Sequence, residues 1–178
     1  YDARGHLTHY VAIFSDLSER KATADQIEFL AHHDPLTALP NRVLLYDRLE
    51  QALTQAERQR TAVALLMLDI DRFKLVNDSL GHEIGDQLLQ AVAMRLRQQV
   101  RDTDTISRQA SDEFLILLPE TGLEGAERVV DNVLKCLKNE PFKTADHNLN
   151  LTASVGVSLY PAYGRDSDSL LKQAGIAL

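Results

Sequence analysis

Four acids stand where apolar runs begin or give out. Asp69 and Asp71 follow the apolar residues 62–68, and Asp112 and Glu113 immediately precede the run "FLILL". Carboxylates at the end of a buried strand are ready ligands for a hard cation such as Mg²⁺, which takes oxygen donors and keeps positions open for phosphate. If the strand after Glu113 neighbours the one that ends near Asp69, an interstrand spacing of about 4.8 Å gathers both pairs around one centre. Two cations roughly 3.5–4 Å apart would there clamp a transferring phosphoryl group. Acids beside turns also serve as caps or solvated tips, and spacing alone leaves both readings open.

The elements that must position these acids follow from periodicity. "TAVALLMLDID" is a continuous apolar run, which predicts a strand buried on both faces. Before it, residues 43–59 carry Leu44, Leu45, Leu49 and Leu53 on one side of a helix. After it, Gly81 and Gly85 predict a loop, and from Asp86 onward Leu88, Leu89, Val92, Ala93 and Leu96 mark an amphipathic helix. Two short strands flank residues 109–112 as a hairpin. A helix at 123–139 turns Ala126, Val129, Val130, Val133, Leu134 and Leu137 inward. "LNLTASVGVSLY" is a further strand region, and residues 169–178 begin a last helix. The order α-β-α-β-β-α-β-α predicts an α/β (α+β) domain with one mixed, largely antiparallel sheet, a central β-hairpin and flanking helices.

The first 33 residues have another character. "GHLTHYVAIF" follows a glycine and reads as a strand. "SDLSERKATADQIEFLAHH" reads as a charged helix with a narrow seam at Leu17, Ala24, Ile27 and Ala31, either a short coiled coil or a solvated linker. His6, His9, His32 and His33 show no metal-ligand pattern and are expected on the surface or linker.

Composition narrows the function. The chain has 178 residues, 44% of them hydrophobic, and a net charge of −7. That charge excludes a general nucleic-acid binder, though not a small phosphorylated ligand held by a few local bases. The one cysteine, Cys136, falls among apolar helix positions, so a buried structural thiol and a reducing compartment are expected. No signal peptide is visible, and the longest apolar run is far too short to span a bilayer. The chain opens at Tyr1 and not at methionine, so a fragment of a longer protein is expected; the domain is placed in the cytoplasm, with membrane attachment of the parent left open.

"DPLTALPNR", "LDIDRFKLVNDSLGHEIGD", "RQASDEFLILLPET" and "TASVGVSLY" occur in an order and at separations that resemble the successive motifs of the GGDEF domain, the diguanylate cyclase family. The likeness covers residues 34–178. It implies a fold like nucleotide cyclases and the polymerase palm, Mg²⁺ or Mn²⁺ as cofactor, and two GTP molecules condensed to cyclic di-GMP across a homodimer. Carried over by position, it assigns the metal to Asp69, the Ile70 carbonyl and Asp112, with Glu113 in support. Asn77 and Asp86 would read the guanine edge, and Lys74 would meet phosphate. "RDTD" stands five residues ahead of Ala110, matching the family's inhibitory product site. That implies cyclic di-GMP at Arg101 and Asp104, with Arg108 assisting. The stretch 1–33 resembles the last strand of a PAS sensor domain and its exit helix.

Two departures stand out. The family's signature is Gly-Gly-Asp/Glu-Glu-Phe; here it is Ala110-Ser111-Asp112-Glu113-Phe114. Ala110 and Ser111 put two Cβ atoms and a hydroxyl where GTP would lie against bare backbone, and a non-glycine in left-handed geometry costs about 1–2 kcal/mol. Gly175 also replaces an acid usual in the closing helix. The expectation is a degenerate domain with weak or no cyclase activity, regulatory through cyclic di-GMP or GTP, in a PAS–GGDEF protein that continues into an EAL phosphodiesterase domain. The alternatives are an active cyclase that tolerates Ala-Ser, and a structural dimerisation module.

Overall fold

The computed structural model describes residues 26–144 and 147–178. It divides into two compact units, Tyr1–Ala31 and His32–Leu178. The strand expected within residues 1–14 and the first part of the charged helix lie outside the described residues; residues 26–32 are helical (α1).

The larger unit runs α2 (Arg42–Gln59), β1 (Val63–Ile70), α3 (Phe73–Leu80), α4 (His82–Arg97), β2 (Thr105–Ala110), β3 (Glu113–Leu118), α5 (Leu123–Asn139), β4 (Phe142–Thr144), β5 (His147–Leu149), β6 (Ala153–Tyr160) and α6 (Ser167–Ala177). Four strands form one sheet in the order β2-β3-β1-β6, antiparallel at every pairing. Strands β4 and β5 form a separate small hairpin.

β1 is central, and its unbroken apolar sequence follows from having helices on both sides. Ala64, Leu66, Leu68 and Ile70 join the core cluster that holds Leu88, Val92 and Leu96 of α4 and Val133 and Leu137 of α5. Val63 and Leu65 join the opposite cluster with Leu45, Leu49 and Leu53 of α2 and Leu170 of α6. The alternation of a strand sends successive side chains to opposite faces, so seven of the eight residues of β1 feed two cores and Asp69 is left for the site. α2 starts where the Asn41 side chain accepts a bond from the Leu44 N–H at 3.2 Å and stops at Arg60, in left-handed geometry.

Two expectations need correction. The stretch read as a loop at Gly81 and Gly85 is two helices, α3 and the first turn of α4, joined at Gly81 with φ +89°. Gly85 lies inside α4, where its missing side chain serves packing instead of a turn. Cys136 is half-buried and not fully enclosed; its Sγ donates to the Val133 carbonyl, and burial raises its thiol above the ordinary range.

Candidate functional site

The register between β1 and β3 sets Asp69 directly opposite Glu113. Directly opposed residues on neighbouring strands point to one face, so the two carboxylates share the end of the face that packs α2 and α6. Asp112 stands beside them in the two-residue connection between Ala110 and Glu113. Their proximity shows in their acidity. Burial raises the Asp69 carboxyl above its usual range, and the charges of Asp112 and Asp71 raise it further. Burial likewise raises Glu113, with Asp69 and Asp112 adding to it and Arg42 partly offsetting it. Asp71 has other work: its carboxylate accepts from the Thr152 hydroxyl and, at 2.9 Å, from the Ser154 hydroxyl, binding the end of β1 to β6.

Among the described residues no three acid, histidine or cysteine side chains form a ready metal cage. The donor set still suits Mg²⁺, which binds through one or two carboxylates and completes its octahedron with water and substrate phosphate. The mutual repulsion of Asp69 and Glu113 is the electrostatic state that a cation relieves.

Ala110 ends β2 in extended geometry, whereas Ser111 takes φ +44°. Only the second of the two replaced positions requires the left-handed region. A β-bulge at Gln109 precedes it. The Ser111 carbonyl accepts from Arg108 Nε at 2.8 Å, and Arg108 Nη1 lies 3.0 and 3.1 Å from the two Asp34 oxygens. Asp34 in turn accepts from the Thr37 N–H at 2.8 Å and the Thr37 hydroxyl at 2.7 Å. Burial alone would raise the Asp34 carboxyl, but the bonds from Thr37 and the Arg108 guanidinium pull it below its ordinary value. Arg108, expected to assist a product site, therefore points its fork at Asp34 and the hairpin. Sequence reasoning missed Asp34. Its signal was present in Asp34-Pro35-Leu36-Thr37, an acid three residues before a threonine, the pattern of a side-chain-closed turn.

On the other flank, α3 and α4 meet at Asn77 and Gly85. A Cβ on Gly85 would fall 1.9 Å from Asn77 Oδ1 and 3.3 Å from the Phe73 ring. Glycine there lets the Asn77 amide lie flat on α4, one residue from the exposed Asp86. Asn77 Oδ1 is buried with no hydrogen-bond partner. An orphaned buried acceptor is costly, and a ligand donor would satisfy it. Lys74 is exposed on the first turn of α3.

Arg101 and Asp104 lie apart from the acids, in the turn before β2. The Arg101 N–H donates to Asp104 Oδ2 at 2.9 Å and the Asp104 N–H returns a bond to the Arg101 carbonyl at 3.0 Å. The two side chains form no ion pair with each other, and the Arg101 guanidinium is exposed.

An antiparallel sheet between helices, with carboxylates at the end of its central strand and on an adjoining hairpin tip, defines a nucleotide-cyclase-like domain. Residues 31–178 match the family described as diguanylate cyclase, GGDEF domain. The chain belongs to that family, and is thereby a cyclic di-GMP signalling domain. It is 43% identical over 149 residues to the bifunctional diguanylate cyclase/cyclic di-GMP phosphodiesterase MucR of Pseudomonas aeruginosa, covering 84% of this chain and 22% of MucR. Among solved structures, the GGDEF domain of TpbB from the same species superposes with a TM-score of 0.79 at 38% identity, covering 82% of this chain and 86% of that one. The coiled coil and GGDEF domain of DgcB from Caulobacter crescentus, in complex with c-di-GMP, gives 0.79 at 25% identity, covering 90% and 85%. The chain spans between a fifth and about a third of the length of curated relatives such as MucR and TpbB. No helix among the described residues is long and apolar enough to cross a membrane.

Proposed function

We infer that residues 34–178 form a GGDEF domain with weak or absent cyclase activity, which acts as a regulatory module binding cyclic di-GMP through Arg101 and Asp104, GTP at the inherited substrate site, or both. The observation that carries this is the hairpin tip. Ser111 takes the left-handed backbone geometry that favours glycine, and Arg108 fixes its carbonyl, so the turn is still made. What changes is bulk: two Cβ atoms and a hydroxyl stand where a triphosphate would rest on main chain. A displacement of about 1 Å costs on the order of 10²-fold in rate, since the reaction needs in-line approach.

In the reaction so hindered, Asn77 and Asp86 would hold the guanine and Lys74 a phosphate. Asp69, Asp112 and the Ile70 carbonyl would hold Mg²⁺ or Mn²⁺, which supplies positive charge at the α-phosphate. The 3′-hydroxyl of a GTP on a partner subunit forms the new P–O bond, the bond to pyrophosphate breaks, and the hydroxyl proton is lost. Two such steps close the ring. Residues 1–33 would connect a PAS sensor to the domain, an EAL domain would follow it, and MucR, whose name joins cyclase and phosphodiesterase, supports a phosphodiesterase in the same protein.

One reading competes on a specific observation. Asp69, Asp112 and Glu113 remain together and the tip already holds its positive φ, which favours an active cyclase tolerant of Ala-Ser. The full-length protein, incubated with GTP and Mg²⁺ and assayed for cyclic di-GMP, decides between them. Synthesis near background, raised at least tenfold by A110G/S111G, is expected. Wild-type synthesis well above background and equal to that of the double-glycine variant would overturn the reading.

A further inference from the structure

In a chain of net charge −7, arginines have many carboxylates to choose from. Arg48, Arg97 and Arg101 nevertheless enter no ion pair among the described residues. They come from three places: α2, the last residue of α4, and the turn before β2. All three line one cavity of about 350 Å³, together with Asp102 and Asp104. Arg48 and Arg101 also line an adjoining cavity of about 710 Å³ that reaches Gln51, Gln55 and Glu120. The two arginines thus lie in the wall shared by both spaces.

Their side chains are steered but not saturated. Arg48 Nη1 donates to the Thr105 hydroxyl at 2.9 Å, and Arg97 Nη2 donates to the Ala38 carbonyl at 3.2 Å. A guanidinium has five N–H donors, so each keeps donors free for a ligand. Asp104 is partly taken, since its Oδ2 accepts from the Arg101 N–H. Three arginines and two aspartates therefore line the smaller cavity.

The chemistry that matches is an anion with planar, acceptor-rich faces. Cyclic di-GMP carries two phosphodiester charges, and each guanine presents O6 and N7 to an arginine fork. Arg101 and Asp104 alone offer one fork and one carboxylate. We propose that Arg48 and Arg97 complete the site, each adding a charge-assisted contact to phosphate or guanine, so that α2, α4 and the turn before β2 close on one ligand. This rests on the reading of Arg101 and Asp104 as the product site. The cleft adjoins Thr105 and the acidic tip follows Ala110, at opposite ends of one strand, about 17 Å apart. Cyclic di-GMP in the cleft therefore leaves the substrate end clear.

Calorimetry with cyclic di-GMP on the purified protein tests this, using Arg48→Ala, Arg48→Lys, Arg97→Ala, Arg97→Lys and Arg101→Ala. The lysine variants keep the charge and one donor toward Thr105 or Ala38, so thermal melting without ligand is expected to stay near wild type. Each alanine variant should bind about tenfold more weakly, and each lysine variant several-fold more weakly, because the fork is lost. If Arg101→Ala loses binding while all four Arg48 and Arg97 variants bind as wild type, the proposal is wrong and the product-site reading stands. If the wild type does not bind cyclic di-GMP, or Arg101→Ala binds equally well, both fail together.

Discussion

Ser111 shows how one residue can keep a loop and still change its use. Its φ of +44° costs about 1–2 kcal/mol for a residue with a Cβ, and the bond from Arg108 to its carbonyl offsets part of that. Arg108 depends on Asp34, whose ion pair with it is only 12% and 16% exposed at the two side chains. Asp34→Asn should destabilise the protein by about 2 kcal/mol at neutral pH, as read by urea unfolding. The pH dependence has a definite sign. The Asp34 carboxyl titrates below its ordinary 3.8 in the folded state, so its contribution is fully present above that value and is lost as pH falls through the lower folded value. Stability curves of wild type and Asp34→Asn should therefore run parallel above about pH 5 and converge in acid; parallel curves throughout would remove Asp34 from the account. Gly85→Ala tests the other flank. Its new Cβ meets the far end of a flexible side chain, so Asn77 turns away at little cost in stability, and GTP affinity is expected to fall about tenfold with little change in melting. The acids were legible in the sequence because motif and strand end coincide there. The destination of Arg108 was not, since its partner lies 74 residues away and no local spacing encodes it.

Elements were legible wherever one period ran long enough. β1, α2 and α5 declared themselves through continuous or stepped apolar residues, and α5 runs over Leu123–Asn139, the stretch read from its pattern. α3 did not, because its eight residues bury only Phe73 and end at a glycine, which together read as a loop. The β4–β5 hairpin was hidden for the same reason, with three residues to a strand. Beyond the burial of Leu137 and Phe142, one side chain from α4 ties the hairpin end of α5. Arg95 donates to the carbonyls of Cys136 at 3.2 Å, Glu140 at 2.6 Å and Pro141 at 3.0 Å, and its guanidinium lies 3.6 Å from the centre of the Phe142 ring. Those carbonyls include orphan acceptors of the last helical turn. Lysine has the charge but cannot reach three carbonyls while stacking on a ring. Arg95→Lys should cost about 2 kcal/mol in urea unfolding; a loss below a few tenths would show that the helix end closes without it.

At the scale of the whole molecule, the domain places repulsion at one end of its central strand and lets two apolar cores hold it there. Asp69 and Glu113 both titrate above their ordinary values of 3.8 and 4.5, with burial the first cause and neighbouring acids the next. A carboxyl raised in the folded state binds its proton more tightly there than in the unfolded chain. Its charged form therefore costs stability above the folded value, and that cost disappears as pH falls below the unfolded one. Asp34 works in the opposite direction, so the stability profile in mild acid combines a gain at the tip with a loss at the turn. Removing one charge at the tip should stabilise the protein: Asp69→Asn is expected to melt higher than wild type at pH 7, with the difference shrinking toward pH 4. A divalent cation should do the same for the wild type without mutation, since a ligand that binds only the folded state adds stability as its concentration passes the dissociation constant. Millimolar Mg²⁺ should therefore raise the melting temperature of wild type at pH 7 and leave Asp69→Asn unmoved. An equal rise in both proteins would place the ion elsewhere. No rise in either, together with a higher-melting Asp69→Asn, would mean that the carboxylates repel one another without gathering a metal.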